Sequence, residues 1–177
     1  MKVKILGSGT SSGVPVILCN CEVCKSANPK NKRLRSSIFI DLENGDNETR
    51  YILIDAGPDF REQALRYNIE RIDVVLFTHS HADHIFGLDD IRMFNFKFKK
   101  DIPVFADHDT AKDLLRIFPY CFSRDPNYEG GGIPSLSLNT IELNEQFSIS
   151  PGDKGETITA LKIFHGKRLI TGYRIRD

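Results

Sequence analysis

Apolar positions along the chain fall into short dense runs separated by turn-forming clusters. VKIL near Val3, SIFIDL from Ser37 to Leu42, RYILIDA from Arg50 to Ala56 and DVVLFT from Asp73 to Thr78 are rich in β-branched residues and read as strands. ENGDNET, between the second and third, reads as a hairpin connection. In PDFREQALRYNI, Pro58 is placed to start a helix, and Phe60, Ala64, Leu65 and Ile69 recur on one face. A second helix is predicted to begin near His84 or Ile85, and a third over DTAKDLLRIF, capped by Asp109 or Thr110. YEGGGIPSL reads as a flexible loop, and SLSLNTIEL through ALKIFHGKRLITGYRIR returns to strands and hairpins. A run such as DVVLF does not alternate, so it needs cover on both faces. The fold class is therefore α/β, a mixed β-sheet flanked by helices.

Composition narrows the partners. The 177 residues fit one domain, 1–177, large enough for a proper core, and 40% apolar with 27% charged is an ordinary globular balance. Lysine plus arginine equals aspartate plus glutamate at 24 each, which speaks against nucleic acid as a partner. The local basic run of Lys25, Lys30, Lys32, Arg33 and Arg35 reads as a solvated loop. No apolar run approaches the ~20 residues of a membrane span. The N-terminal apolar stretch is too short for a signal peptide, so no membrane partner and a cytoplasmic location are expected. Cys19, Cys21 and Cys24, packed into CNCEVC, suit metal binding better than a disulfide framework. Cys121 reads as a buried hydrophobic cysteine.

The chemistry concentrates in FTHSHADHIFGLDD. In an extended segment after a strand, side chains at i and i+2 point the same way, so His79 and His81 can grip one ion. Asp83 and His84, where the chain turns into a helix, aim at a neighbouring point, which suggests two adjacent sites. Imidazoles and a carboxylate suit zinc, iron or manganese. His165, at a strand end before Gly166, is the candidate third imidazole for the first ion. His108 reads as a rim residue beside a helix start. Arg35, Ser36 and Ser37, just before a strand, are candidates to meet a substrate phosphate, alongside a hairpin-edge role. In GSGTSSG the third glycine, Gly13, falls one place too late for a dinucleotide fingerprint, so a nucleotide cofactor is rejected.

His79-x-His81-x-Asp83-His84, the preceding LIDAG with Asp55, and His165 after a strand resemble the metallo-β-lactamase fold superfamily of metal-dependent hydrolases. GSGTSSGVPVILCNCEVC and IDAGPDFREQ look like its branch containing phosphoribosyl cyclic phosphate phosphodiesterase. The resemblance implies an αββα sandwich, of which the chain would hold largely the N-terminal part. It implies two divalent ions, zinc or manganese. His79, His81 and His165 would hold the first, and Asp83 and His84 the second. Asp83 would also orient a bridging hydroxide, and Asp55 would orient the ligand loop. Cys19, Cys21 and Cys24 would match a structural zinc site whose fourth ligand is a distant histidine. The implied activity is hydrolysis of a small phosphodiester, cyclic ones included, by a metal-bound hydroxide. The sequence names no clear proton donor for the leaving alkoxide; His108 is the candidate it offers.

The pattern also departs from that superfamily. A bridging aspartate and a last histidine are expected downstream, yet the chain stops at TGYRIRD, and Asp177 comes too early to be the bridge. The expectation is a C-terminally truncated chain whose second site is two ligands short. Two alternatives stand beside the phosphodiesterase reading. One is a hydrolase like the tRNA 3′-end endonucleases, disfavoured by the neutral charge. The other is a metal-binding chain without turnover, or half of a split protein, with a homo-oligomer or a complementing C-terminal segment as partner.

Overall fold

The structure is a computed structural model and describes residues 1–43, 49–123, 132–149 and 157–175. The apolar runs become strands of two sheets. The larger holds β1 (Lys2–Gly7), β2 (Ser37–Glu43), β3 (Thr49–Ile54), β4 (Val74–Leu76), β5 (Ile102–Asp107) and β6 (Leu136–Ile141), neighbours in that order. The first three are antiparallel; from β3 to β6 all pairings are parallel. The hairpin of β2 and β3 closes at Glu43 opposite Thr49, while residues 44–48 of its connection lie outside the described residues. So do residues 128–131 of the glycine-rich loop. The smaller sheet is an antiparallel set of β7 (Gln146–Ser148), β8 (Thr157–His165) and β9 (Arg168–Ile175).

Burial follows the alternation of side chains along each strand. Leu53, Val75 and Val104 enter a core with Phe60, Ile85, Leu88, Ile91 and Leu114 from the helical side. Their neighbours Ile52, Val74, Leu76 and Phe105 point the other way, onto Ile158 and Ala160 of the smaller sheet. That double cover is why β4 reads as a continuous apolar run, with none of its three residues more than 1% exposed. Truncating Leu53 to alanine there should cost about 2–5 kcal/mol.

The helices are short: α1 (Glu22–Lys25), α2 (Phe60–Arg66), α3 (Ala82–Ile85), α4 (Arg92–Phe98), α5 (His108–Ile117) and α6 (Pro119–Phe122). The helix predicted near His84 is the single turn α3, followed by a 3-10 segment, Leu88–Ile91, and then α4. Gly87 lies between them because the backbone of Gly57 passes so close that a Cβ at 87 would stand 2.0 Å from the Gly57 carbonyl oxygen. The cap of α5 is Asp107, earlier than the predicted Asp109 or Thr110. Its Oδ1 accepts from the amides of Asp109 and Thr110 at 3.0 and 3.1 Å. The strand β5 runs straight to Asp107, so the helix starts without an intervening loop. Among the described residues no helix is long and apolar enough to cross a membrane.

Candidate metal centre

Because β3 and β4 are parallel neighbours, their C-terminal ends open at one edge of the sheet, where loops can share a site. The loop after β3 carries Asp55 in the left-handed region, φ 61°, which aspartate tolerates better than most residues. Its carboxylate organises the loop after β4. Oδ1 accepts from the Thr78 amide and Oδ2 from the Thr78 hydroxyl, both at 2.8 Å, and Oδ2 lies 2.7 Å from Nδ1 of His84. Gly57 lets α3 come this close: a Cβ there would stand 2.0 Å from the Asp83 carbonyl oxygen. From the other side, the Tyr173 hydroxyl donates to the Phe77 carbonyl at 2.6 Å and the Thr171 amide to the Thr78 carbonyl at 2.8 Å. Both ends of the β4 loop are thereby fixed to other elements.

Three imidazoles converge. The candidate ligand atoms of His79, His81 and His165 all lie within 4.8 Å of one another. His165 arrives from the β8–β9 hairpin, its ring centroid 5.8 Å from that of His79 and 6.1 Å from that of His81. Nε2 of His79 and Nδ1 of His81 are 3.0 Å apart, a separation at which two ring nitrogens must share a proton or face a cation. His79 is 4% exposed. Burial, followed by the charges of His84, His81 and Arg168 and opposed by Asp83, lowers it to about 4. It is therefore neutral at pH 7, the state that binds metal.

His84 behaves differently. Burial opposes its charged form, but the Asp55 hydrogen bond and the Asp55 and Asp83 charges outweigh it and raise its pKa. With Nδ1 held by Asp55, Nε2 is the nitrogen left for a ligand, and it sits 3.3 Å from Asp83 Oδ2. A set of imidazole nitrogens and a carboxylate in a half-buried cleft fits a divalent ion of intermediate softness. The cleft measures about 640 Å³, and Thr10, Ser11, Ser36 and Ile170 line it beside the histidines.

The remaining predicted residues are placed as follows. Arg35 is held by Asp59, its amide and guanidinium donating at 2.8 and 2.6 Å, and its Nε donates to the Ser11 carbonyl. Ser37 lines the cleft, but its hydroxyl donates to the Asp55 carbonyl at 2.8 Å. His108 is exposed at the start of α5 and does not line the cleft. The sulfurs of Cys19, Cys21 and Cys24 lie within 4.8 Å of one another around α1. Cys121 is buried in the core on the helical side. Sequence reasoning passed over Thr78, although its place beside His79 was a usable signal. Nothing in the local sequence pointed to Thr171 or Tyr173, whose contacts cross more than ninety residues.

Comparison with known proteins places the chain in a family and a fold. Residues 50–177 match the Beta-lactamase superfamily domain. Over its full length the chain is 37% identical to an octanoyltransferase of Porphyromonas gingivalis and covers 33% of that protein. The crystal structure of a diphosphatase from the PhnP family superposes with a TM-score of 0.79 at 36% identity, over 98% of this chain and 61% of that one. Zinc-bound PqqB from Methylobacterium extorquens shares the fold, with a TM-score of 0.66 at 24% identity over 98% of this chain and 58% of that one. The chain thus spans about a third of the curated relative and about three fifths of the solved structures.

Proposed function

The chain belongs to the β-lactamase superfamily, and from that premise we propose that it is a metal-dependent hydrolase of small phosphodiesters. The convergence of His79, His81 and His165 within 4.8 Å carries the reading. These three hold a first divalent ion, zinc or manganese, and Asp83 with His84 contribute to a second. Cys19, Cys21 and Cys24 hold a separate structural zinc. When bound in the cleft, such ions supply Lewis acidity that activates water and neutralises phosphoryl oxygens.

The chain's own residues prepare for that chemistry. Asp55 accepts a hydrogen bond from the Nδ1–H of His84 and so selects the tautomer that leaves Nε2 free. The Thr78 hydroxyl donates to Asp55 and accepts from Nδ1 of His79 at 3.0 Å, which leaves Nε2 of His79 unprotonated. A cleft of about 640 Å³ suits a small molecule, and Thr10, Ser11 and Ser36 line it together with the histidines, which gives a polar substrate hydroxyl-bearing walls. The likeness to a PhnP-family diphosphatase at 36% identity supports a phosphoryl substrate, and the zinc of PqqB supports the metal. Octanoyl transfer is not carried over, because the chain spans only a third of that relative.

The test is turnover of bis(p-nitrophenyl) phosphate by chain loaded with zinc or manganese. Release of nitrophenolate that disappears in His79→Ala and His165→Ala is the expected result. Wild-type chain that holds its ions at the histidines and releases none would end the phosphodiesterase reading.

A further inference from the structure

The hairpin that delivers His165 has a feature that the ligand set leaves unused. His165 pairs across the strands with Arg168, so the two flank a turn of only Gly166 and Lys167. Gly166 takes φ 62° to close it. The hydrogen bonds that fix the hairpin to the loop after β4, from Thr171 and Tyr173, lie further down β9, away from this tip. At the tip, Nη2 of Arg168 donates to Oγ of Ser80 at 2.8 Å. Ser80 is the residue between His79 and His81. Its hydroxyl donates in turn to Oδ2 of Asp113 on α5 at 2.5 Å. Asp113 also accepts from Arg116 at 3.1 Å and lies 3.8 Å from Arg168.

Each part of this arrangement has a physical consequence. The hydroxyl has one proton, which goes to a carboxylate, and lone pairs, which go to a guanidinium, so both bonds are charge-assisted. Ser80 stays ordered between the two ligands because both its functions are used. Hydrogen bonding from Ser80, opposed by burial and helped by Arg116 and Arg168, keeps Asp113 below the usual carboxylate range and hence charged. That charge offsets Arg168, which otherwise would repel a dication held by the neighbouring histidines.

We infer that Arg168, Ser80 and Asp113 form a positioning bridge that sets the distance of His165 from His79 and His81, and so the affinity of the site for its first ion. The inference rests on the proposed reading of those three histidines as a metal site. None of the three bridging residues is a ligand. They act through where they hold the ligands, as hydrogen-bond partners behind metal sites do.

The experiment measures zinc affinity by competition with a chromophoric chelator, in a Cys21→Ser background so that the histidine site alone is read. Cobalt absorption spectra report the ligand geometry in the same samples. Ser80→Ala and Arg168→Met should each weaken zinc binding about tenfold or more. The double variant should weaken it little further, since either change alone opens the bridge. Ser80→Thr, which keeps the hydroxyl, should restore binding. Metal-free thermal midpoints should stay unchanged throughout, which separates positioning from general stability. If His79→Ala abolishes binding while Ser80→Ala and Arg168→Met bind as the parent does, the bridge is refuted and the metal site stands. If His79→Ala binds as the parent does, the metal reading itself is wrong and the bridge falls with it. A lowered metal-free midpoint with unchanged zinc affinity would assign Ser80 to the fold alone. Arg168→Met leaves the ligand loop's own sequence intact, so misfolding of one variant does not remove the test.

Discussion

The histidine cluster and the cysteine cluster are both sets of three side chains whose candidate donor atoms lie within 4.8 Å, but they are held in opposite ways. The histidine set is built from distant pieces of chain. Asp55 reaches Thr78 and His84, Tyr173 reaches Phe77, and Thr171 reaches Thr78. The cysteine set is built locally, from Cys19 Sγ against Cys21 Sγ at 3.4 Å, the Cys24 amide on Cys21 and the Val16 amide on Cys24. A site assembled by the global fold is in place before an ion arrives, at a cost already met by the core. A local, exposed loop depends on the ion itself for most of its order.

The largest effect expected from this contrast is in metal content. Elemental mass spectrometry of purified chain should show that His79→Ala removes the share held by the histidines and leaves the cysteine share. Cys21→Ser should do the reverse. A single variant that emptied both clusters would break the comparison, because it would make them one cooperative unit.

Next in size is stability without metal. Asp55→Ala strips a buried carboxylate from the Thr78 amide, the Thr78 hydroxyl and His84. Leaving those groups unpaired should lower the metal-free unfolding free energy by about 3 kcal/mol, measured in urea. Cys21→Ser should leave the same curve unchanged. Equal losses in the two variants would mean that the cysteine loop is as much a part of the fold as the Asp55 loop.

A smaller effect separates the two histidines by pH. His79 is depressed to about 4, so between 4 and 6.5 the unfolded chain binds a proton that the folded chain does not. Its contribution is complete well above 6.5 and is lost as the pH falls through 4, an effect on the order of 2–3 kcal/mol between 6.5 and 4. His84 is raised, so its contribution is complete below 6.5 and is lost as the pH rises through its folded value. Metal-free stability should therefore rise from pH 4 to 6.5 on account of His79 and fall above that on account of His84. Denaturant titrations of His79→Gln and His84→Gln should flatten the acid and the alkaline limb respectively.

What could be read beforehand follows the same division between local and distant. Strands with β-branched alternation, the β2–β3 hairpin and the grouping of His79, His81, Asp83 and His84 are properties of neighbouring residues, and the sequence shows them directly. Asp107 was passed over as the α5 cap in favour of Asp109 or Thr110, because the end of β5 is set by pairing with β6 and not by the cap itself. Arg35 reads as a candidate for a substrate phosphate, yet Asp59, 24 residues on, holds it at 2.6 Å. Ser80, between His79 and His81, carries no sequence signal of its own. Only the pairing of β8 with β9 brings Arg168 to it from 88 residues away. Side-chain partners of this kind depend on strand order, which hydrophobic periodicity does not encode.

The smallest expected effect, a difference in reaction rate that leaves stability untouched, is also the sharpest test of the local site. The Cys24 amide N–H pointing at the Cys21 sulfur, with further help from the Cys19 and Cys24 side chains, lowers the Cys21 thiol to about 7. For Cys19 the Cys21 amide pulls down, but the neighbouring sulfurs outweigh it and raise the thiol. Burial pushes Cys121 up to about 12. At pH 7 in metal-free chain, iodoacetamide should therefore modify Cys21 first, with a rate profile whose midpoint is about 7, and Cys121 last. Because the main cause is a backbone amide, Cys24→Ala should move that midpoint only slightly. Zinc should protect Cys21 in wild-type and His79→Ala chain alike, since the thiolate is the ligand and the histidines are elsewhere. Peptide mapping by mass spectrometry reads all three outcomes. Cys19 reacting ahead of Cys21 would mean that the loop does not hold the Cys24 amide against the Cys21 sulfur, and the local site would then take its shape only from the bound ion.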